Sequence, residues 1–331
     1  MPELARILSA LDHAPGEPAA LATLVRVEGS SYRRPGARLL LLGNGLRIGS
    51  ISGGCLEDDV ILRAQRVLAS GKAETAVYDT TSENDLVWGV GLGCQGVVHI
   101  FIEPVTVVRP LWIKTLGENL RARRETALSI VHAGNGSLGT FLSHEMAGSG
   151  KPSEIFREII SAPSSLVIFG AGEDARPLVR LAKEVGWHVA VVDSRPAYAT
   201  SVRFPEADAV VNATATEAAR QLTADHSAYA VIMTHRYAED LQLLRQLLPH
   251  PLAYLGVLGP RKRTDRLLAQ LQTEGFSPSE SMLARLHAPI GLDLGGNTPE
   301  TVALAIIAEI QSRLTGRIPI YLRDRSAPIH G

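Results

Sequence analysis

The feature that most constrains this chain is a glycine turn between a short apolar run and a helical stretch, set halfway along 331 residues. Leu166-Val-Ile-Phe169 runs into Gly170-Ala-Gly172-Glu-Asp-Ala175, and a second apolar run from Trp187 to Val192 ends on Asp193. Strand, turn, helix, strand and acid follow one another in the order of a dinucleotide-binding fingerprint. Gly170 permits the tight bend, Gly172 lets the backbone approach a pyrophosphate, and Ala175 lets the helix pack closely on the strand. The helix N-terminus then offers unpaired N–H groups and partial positive charge to an anion. Asp193 follows about 20 residues later, where an acid at the end of a second strand accepts hydrogen bonds from a ribose. The same residues also suit a fold that keeps its glycines for packing and binds nothing.

Some 160 residues precede this turn, so the chain joins two unlike modules. The pattern predicts an α/β protein with a mixed α+β domain over 1–160 and a Rossmann-like, doubly wound parallel sheet over 161–331. In the first half a helix is expected over 3–11, strands over 20–27, 38–42 and 46–48, and a helix from Leu56 to Ala69 that stops at Ser70-Gly71. Strands are expected at 73–79 and 96–103, and a hairpin over 127–142 turning through Gly134-Asn-Gly136. The polar stretch 148–153 reads as a linker, with a short helix over 153–160. Beyond it, strands at 166–169, 188–192, 208–211, 229–233 and 253–258 alternate with helical or loop segments. Thr298-Pro299 opens a last long helix over 299–314, Thr as cap and Pro at the first helical position.

The composition, 45% apolar and 20% charged, is that of an ordinary globular chain. A formal net charge of −1 gives no global attraction to nucleic acid or to an anionic membrane. Met1-Pro-Glu-Leu-Ala-Arg6 does not read as a signal peptide, and no apolar run approaches the ~20 residues that span a bilayer. Two cysteines in a chain this long argue for a reducing, cytoplasmic location rather than a disulfide scaffold.

Residues able to carry chemistry gather in four places. Gly49-Ser-Ile-Ser-Gly-Gly-Cys55-Leu-Glu57 is a small-residue loop running straight into a helix, so Cys55 stands near a helix N-terminus, where the dipole favours a thiolate. Successive N–H groups in such a loop form an anion-binding nest. The alternative is a tightly packed turn with an inert, half-buried thiol. Trp88-Gly-Val-Gly-Leu-Gly93-Cys94-Gln-Gly96 surrounds a second thiol with four glycines and leaves it little bulk for shielding. Thiolates suit soft metals and sulfur transfer, but two cysteines do not complete a structural zinc site, and recruiting His99 or His132 gives no zinc spacing. Ile232-Met-Thr-His235-Arg-Tyr237 with Asp240 stands at the carboxyl end of a parallel strand, where open α/β sheets bind ligands. There His235 is an acid-base group, a phosphate donor or only a strand-end cap. Gly256-Val-Leu-Gly-Pro-Arg261-Lys-Arg263 sets basic residues at a helix start that suits phosphate, although a basic run is also an ordinary solvated face.

Five of these segments together resemble the XdhC/CoxI family, accessory proteins of xanthine dehydrogenase and related molybdenum hydroxylases. They are Gly49–Glu57, Trp88–Cys94, Met233-Thr-His235, Leu258-Gly-Pro-Arg-Lys-Arg263 and Leu286-His-Ala-Pro-Ile-Gly-Leu-Asp293. The resemblance runs in order from about residue 20 to 312. It implies a chaperone, not a stand-alone enzyme, that binds molybdenum cofactor (molybdopterin) and protects it. It further implies sulfuration with a cysteine desulfurase as donor and delivery of the cofactor to an apo-hydroxylase. The family's glycine-cysteine motif falls on Ser50, Ser52, Gly53, Gly54, Cys55 and Glu57, and its second loop on Gly93 and Cys94. Cys55 then either ligates the metal or marks the site of sulfuration. Cofactor contacts are also expected at Gly170, Gly172, Asp193, His235 and Arg261, where the second domain binds NAD(P), a nucleotide form of the molybdenum cofactor, or nothing.

Two departures stand out: Gly291-Leu-Asp-Leu-Gly-Gly296-Asn297 carries an extra glycine before Thr298-Pro-Glu300, and Arg236 follows the Met-Thr-His where an aspartate is common. Asp193 favours NAD over NADP, and Arg195 weakens that preference. The competing class is an NAD(P)-dependent oxidoreductase, and a homodimer is expected for a two-domain chain of this kind.

Overall fold

A strand buried on both faces reads as a continuous apolar run, and Leu166–Phe169 of the strand Ser165–Phe169 is one: Leu166 and Ile168 face one core while Val167 and Phe169 face another. This strand lies in the second of two units of the chain, Met1–Ala162 and Pro163–Gly331. The computed structural model describes residues 2–79, 96–146, 153–221 and 228–326. The expected linker over 148–153, except Ser153, and the Trp88–Cys94 loop, with Gly93 and Cys94, lie outside them.

The first unit contains α1 (Pro2–His13), β1 (Ala19–Gly29), β2 (Arg38–Leu42), β3 (Arg47–Gly49), α2 (Glu57–Ser70), β4 (Glu74–Asp79), β5 (Gly96–Val105), α3 (Leu111–Arg121), β6 (Thr126–Gly134), β7 (Gly139–Leu142) and β8 (Ser153–Ile160). An antiparallel sheet runs β3-β2-β1-β5-β4. Ala20, Ala22 and Leu24 of β1 pack with Val60, Ile61 and Ala64 of α2, whereas Leu21 and Leu40 pack with residues of α1 and α3. Strand alternation therefore feeds two cores from one sheet. A second sheet runs β7-β6-β8.

Residues 153–160, expected as a helix, form β8 and pair antiparallel with β6. Ile155, Ile159 and Ile160 are β-branched and prefer extended backbone, and pairing with a distant strand outweighs the local helical spacing. The pairing also brings Glu158 onto the buried Arg38 guanidinium of β2. Burial lowers the Arg38 pKa to about 10, with Glu103 and Glu3 opposing the shift. Helix α3 was not anticipated, although Trp112, Ile113 and Leu116 give it a buried stripe.

The second unit contains β9 (Ser165–Phe169), α4 (Ala175–Glu184), β10 (His188–Asp193), β11 (Ala209–Asn212), α5 (Ala215–Gln221), β12 (Ala228–Ile232), α6 (Tyr237–Leu247), β13 (Tyr254–Val257), α7 (Arg261–Thr273), α8 (Glu280–Leu283), β14 (Leu286–His287) and α9 (Pro299–Thr315). Its sheet is parallel throughout, in the order β11-β10-β9-β12-β13-β14. That is the Rossmann order, and it places the reversal of strand sequence between β9 and β12. Helices α4 and α9 cover one face, and α5, α6 and α7 the other. Each Leu or Ile so buried contributes about 1.5–3 kcal/mol relative to exposure. Thr298 caps α9 with its side chain, and Pro299 stands in the first turn as anticipated. No described helix is long and apolar enough to cross a membrane.

Candidate functional site

The chemistry-bearing residues fall at two separate places, one in each unit. In the first unit, β3 ends at Gly49 and α2 begins at Glu57, so the glycine-cysteine motif is the connecting loop. The Glu57 carboxylate folds back over it. Ser50 Oγ donates to Glu57 Oε1 at 2.9 Å, Ser52 N at 2.8 Å and Ile51 N at 3.2 Å, while the Ser52 hydroxyl donates to Oε2. Burial pushes the Glu57 pKa up, but hydrogen bonds from Ser52 and Ser50 outweigh it and hold the group below the ordinary glutamate value.

The anion in this nest is thus the protein's own carboxylate. Ser50, Ser52 and Glu57, expected as cofactor contacts, are joined to one another within the loop. Ser52 Oγ also accepts from Gly54 N and Leu56 N at 3.2 Å, and the Cys55 thiol donates to it at 3.4 Å. Glu57 fixes Ser52, and Ser52 fixes the sulfur. Cys55 is half-buried against the α2 core, and Gly53 and Gly54 are exposed beside it. Gly54 takes φ +115°, a conformation that disfavours any side chain, and a Cβ there would meet nothing within 4 Å. The loop therefore presents one thiol beside two glycines, open at Gly54 and faced by the Tyr32 ring at Gly53. Among the described residues, no group of three His, Cys, Asp or Glu could hold a metal ion.

In the second unit, the turn after β9, the end of β10 and the loops after β12 and β13 meet at the carboxyl edge of the sheet, as strand order requires. Gly170 has φ +117°, and a Cβ on it would stand 2.4 Å from Met233 O, so only glycine lets β9 and the end of β12 approach this closely. The amides of Gly172, Glu173 and Asp174 form no hydrogen bond among the described residues, which leaves the start of α4 open to an anion. The acids beside it have partners within the protein. Glu173 pairs with Arg203 at 2.7 Å and Arg176 at 3.1 Å, and the Asp174 carboxylate lies 2.8 Å from His235 Nε2.

Asp193 is placed where a ribose acceptor belongs, yet its oxygens are engaged within the protein. It accepts from Ala171 N at 2.8 Å, from Arg195 N at 2.8 Å, and from Arg195 Nε and Nη2 at 2.9 and 2.7 Å. Burial pushes its pKa up, but the hydrogen bonds from Arg195 and Ala171 outweigh it and bring it down to about 2. Arg195 is further held over the Tyr198 ring at 3.8 Å. His235 adopts φ +61° and stands beside Gly172, largely exposed. Arg261 is exposed at the start of α7 without an ion pair among the described residues.

Asp174, the partner of His235, was missed. It lies inside the GxGxxA turn, and only the loop after β12 reveals its use. Likewise the buried Asp240 accepts from Thr234 Oγ1 at 2.5 Å and from Arg263 Nη2 at 2.6 Å, which ties the β12 and β13 loops together. These are structural supports of the cleft.

Comparison with known proteins matches residues 13–79 to the XdhC and CoxI family and residues 166–310 to the XdhC Rossmann domain. A probable xanthine dehydrogenase subunit of Bacillus subtilis is 34% identical over 317 residues, covering 89% of this chain and 92% of that protein. The molybdenum cofactor insertion chaperone PaoD of Escherichia coli is 23% identical over 90% of this chain and 84% of its own length. The crystal structure of a xanthine dehydrogenase from Bacillus halodurans superposes with a TM-score of 0.79 at 31% identity, covering 98% of both chains.

Proposed function

The chain belongs to the XdhC and CoxI family, and from that premise we propose that it is an accessory protein of a xanthine dehydrogenase-type enzyme. In this reading it binds molybdenum cofactor, guards it and inserts it into the apo-hydroxylase, with a cysteine desulfurase as the sulfur donor. The relatives support the role, since one is a probable subunit of xanthine dehydrogenase and another a cofactor insertion chaperone.

The observation that carries the reading is the Cys55 thiol, oriented by Ser52 and bordered by Gly53 and Gly54. A soft sulfur ligand on an open rim fits a molybdenum centre, which would supply the hydroxylase's redox chemistry once delivered. The protein's part is to hold the metal end at Cys55 without enclosing it, so that the cofactor can leave. The nest of this loop, filled by Glu57, has no place for the cofactor's phosphate. In the other unit, the free amides at the start of α4 suit a phosphate or nucleotide in their own right. An NAD(P)-dependent oxidoreductase finds less support, because Asp193 is already saturated by Arg195 and Ala171.

The test is anaerobic incubation of the purified protein with molybdenum cofactor, then gel filtration and assay of retained molybdenum and pterin. Stoichiometric retention that is lost in Cys55→Ala is expected. Full retention by Cys55→Ala overturns the role given to the thiol, and no retention by the parent protein overturns the chaperone reading.

A further inference from the structure

Two glycines precede Cys55, and the backbone explains only one of them. Gly54 takes φ +115°, where a side chain is strained, whereas Gly53 takes no positive φ. A Cβ on Gly53 would stand 3.6, 3.7 and 3.9 Å from three carbons of the Tyr32 ring, an ordinary van der Waals contact, and would meet nothing closer. Neither conformation nor packing therefore demands glycine at 53. A side chain there would project at the Tyr32 ring, and its absence leaves that side of the ring uncovered.

Tyr32 itself is 68% exposed, and its hydroxyl makes no hydrogen bond among the described residues. The other tyrosine of this unit, Tyr78, behaves differently: it is buried in the α2 core and donates to Asp59 at 2.6 Å. The chain on either side of the Tyr32 ring is nevertheless fixed. Arg33 Nη2 donates to Glu3 Oε2 at 2.6 Å, Gly36 N to Leu24 O at 2.8 Å, and Leu24 N to Ala37 O at 2.9 Å. The segment between β1 and β2 thus holds an aromatic ring in place against the thiol loop without using it in the core. A ring ordered in advance loses little freedom when a ligand covers it.

We propose, resting on the function proposed above, that Tyr32 is the stacking platform for the flat pterin of the cofactor whose metal end is held at Cys55. Gly53 lies two residues from Cys55, a span of at most about 7 Å, so ring and sulfur belong to one rim. A thiolate alone accepts any soft metal. An aromatic face beside it favours a metal carried on a flat heterocycle, because offset stacking adds attraction beyond the area covered. Tyr32 therefore recognises the organic part of the ligand and Cys55 the metal. The bare backbone of Gly53 keeps the way to both clear.

The two roles separate in an anaerobic binding titration of the full-length protein with two probes, molybdenum cofactor and metal-free molybdopterin, in which bound pterin is assayed after ultrafiltration. Tyr32→Leu, which keeps a large apolar side chain without a ring, should weaken both probes at least about fivefold. Tyr32→Phe and Tyr32→Trp should bind both within about twofold of the parent, since each keeps an aromatic face. Cys55→Ala should weaken the molybdenum form alone. The Tyr32 variants should unfold thermally with the parent, because the ring is largely exposed. Parent-like binding of both probes by Tyr32→Leu overturns the platform while leaving the chaperone reading intact. Loss in Tyr32→Phe as large as in Tyr32→Leu also overturns it, because the hydroxyl and not the ring would then be the contact. A parent protein that binds neither probe overturns the proposed function and the platform together.

Discussion

The loop before α2 and the turn before α4 are built alike and end differently. Each is a glycine-rich passage from a strand into a helix, and in each a carboxylate of the protein reaches back to backbone amides. Glu57 comes from the helix itself, takes neutral donors only and fills its nest. Asp193 comes from the neighbouring strand, takes one turn amide and a full guanidinium, and leaves the amides of residues 172–174 open. One device therefore fills its nest and presents a thiol, while the other occupies the acid at the end of β10 and leaves three amides unpaired among the described residues. A glycine loop alone does not say which.

The sharpest break of this comparison is Gly170→Ala. A methyl group 2.4 Å from Met233 O at φ +117° cannot be accommodated, so the second unit should lose about 3 kcal/mol or more in urea unfolding. The corresponding Gly54→Ala meets open space and should cost about 1–2 kcal/mol from backbone strain alone.

Asp193→Asn should cost about 2 kcal/mol, because it removes charge-assisted bonds from Arg195 at a buried side chain. Its pH signature follows from the depressed pKa. The Asp193 contribution is complete above the ordinary aspartate value of 3.8 and is lost as pH falls toward about 2. Acid unfolding followed by circular dichroism should show that loss in the parent between about pH 4 and 2 and not in Asp193→Asn.

Glu57→Gln should cost about 1–2 kcal/mol, since the amide cannot accept at both oxygens from the Ser50 and Ser52 groups. Its more telling readout is Cys55, whose alkylation rate should change with Glu57→Gln and stay constant with Asp193→Asn. Equal behaviour of the two variants would remove the link drawn from Glu57 through Ser52 to the thiol. The smallest effect is expected for His235→Gln, at most about 0.5 kcal/mol in thermal unfolding, because its pair with Asp174 is largely exposed.

Parts of the molecule were legible because their causes are local. Gly170, Gly172 and Ala175 announce the turn, Thr298-Pro299 announces α9, and the unbroken apolar run Leu166–Phe169 announces a strand buried on both sides. Ser153–Ile160 was misread because its strand exists only through pairing with β6. Ser50, Ser52 and Glu57 were legible as neighbours in one loop, but residue type tells that a carboxylate and two hydroxyls are near a nest and not that the carboxylate accepts from its amides. Asp193 was placed correctly at the end of β10, but the return of Arg195 onto it depends on the local turn and on Tyr198.

The sequence by itself determined the two-module character, the Rossmann-type order of strands and acid, and the loop that holds Cys55. Those depend on spacing, side-chain size and backbone freedom, which are properties of consecutive residues. Only the tertiary structure decided that the Glu57 and Asp193 carboxylates are held by the protein's own donors. That depends on which groups meet across the fold, and a hydrogen bond acts only between atoms brought within about 3 Å.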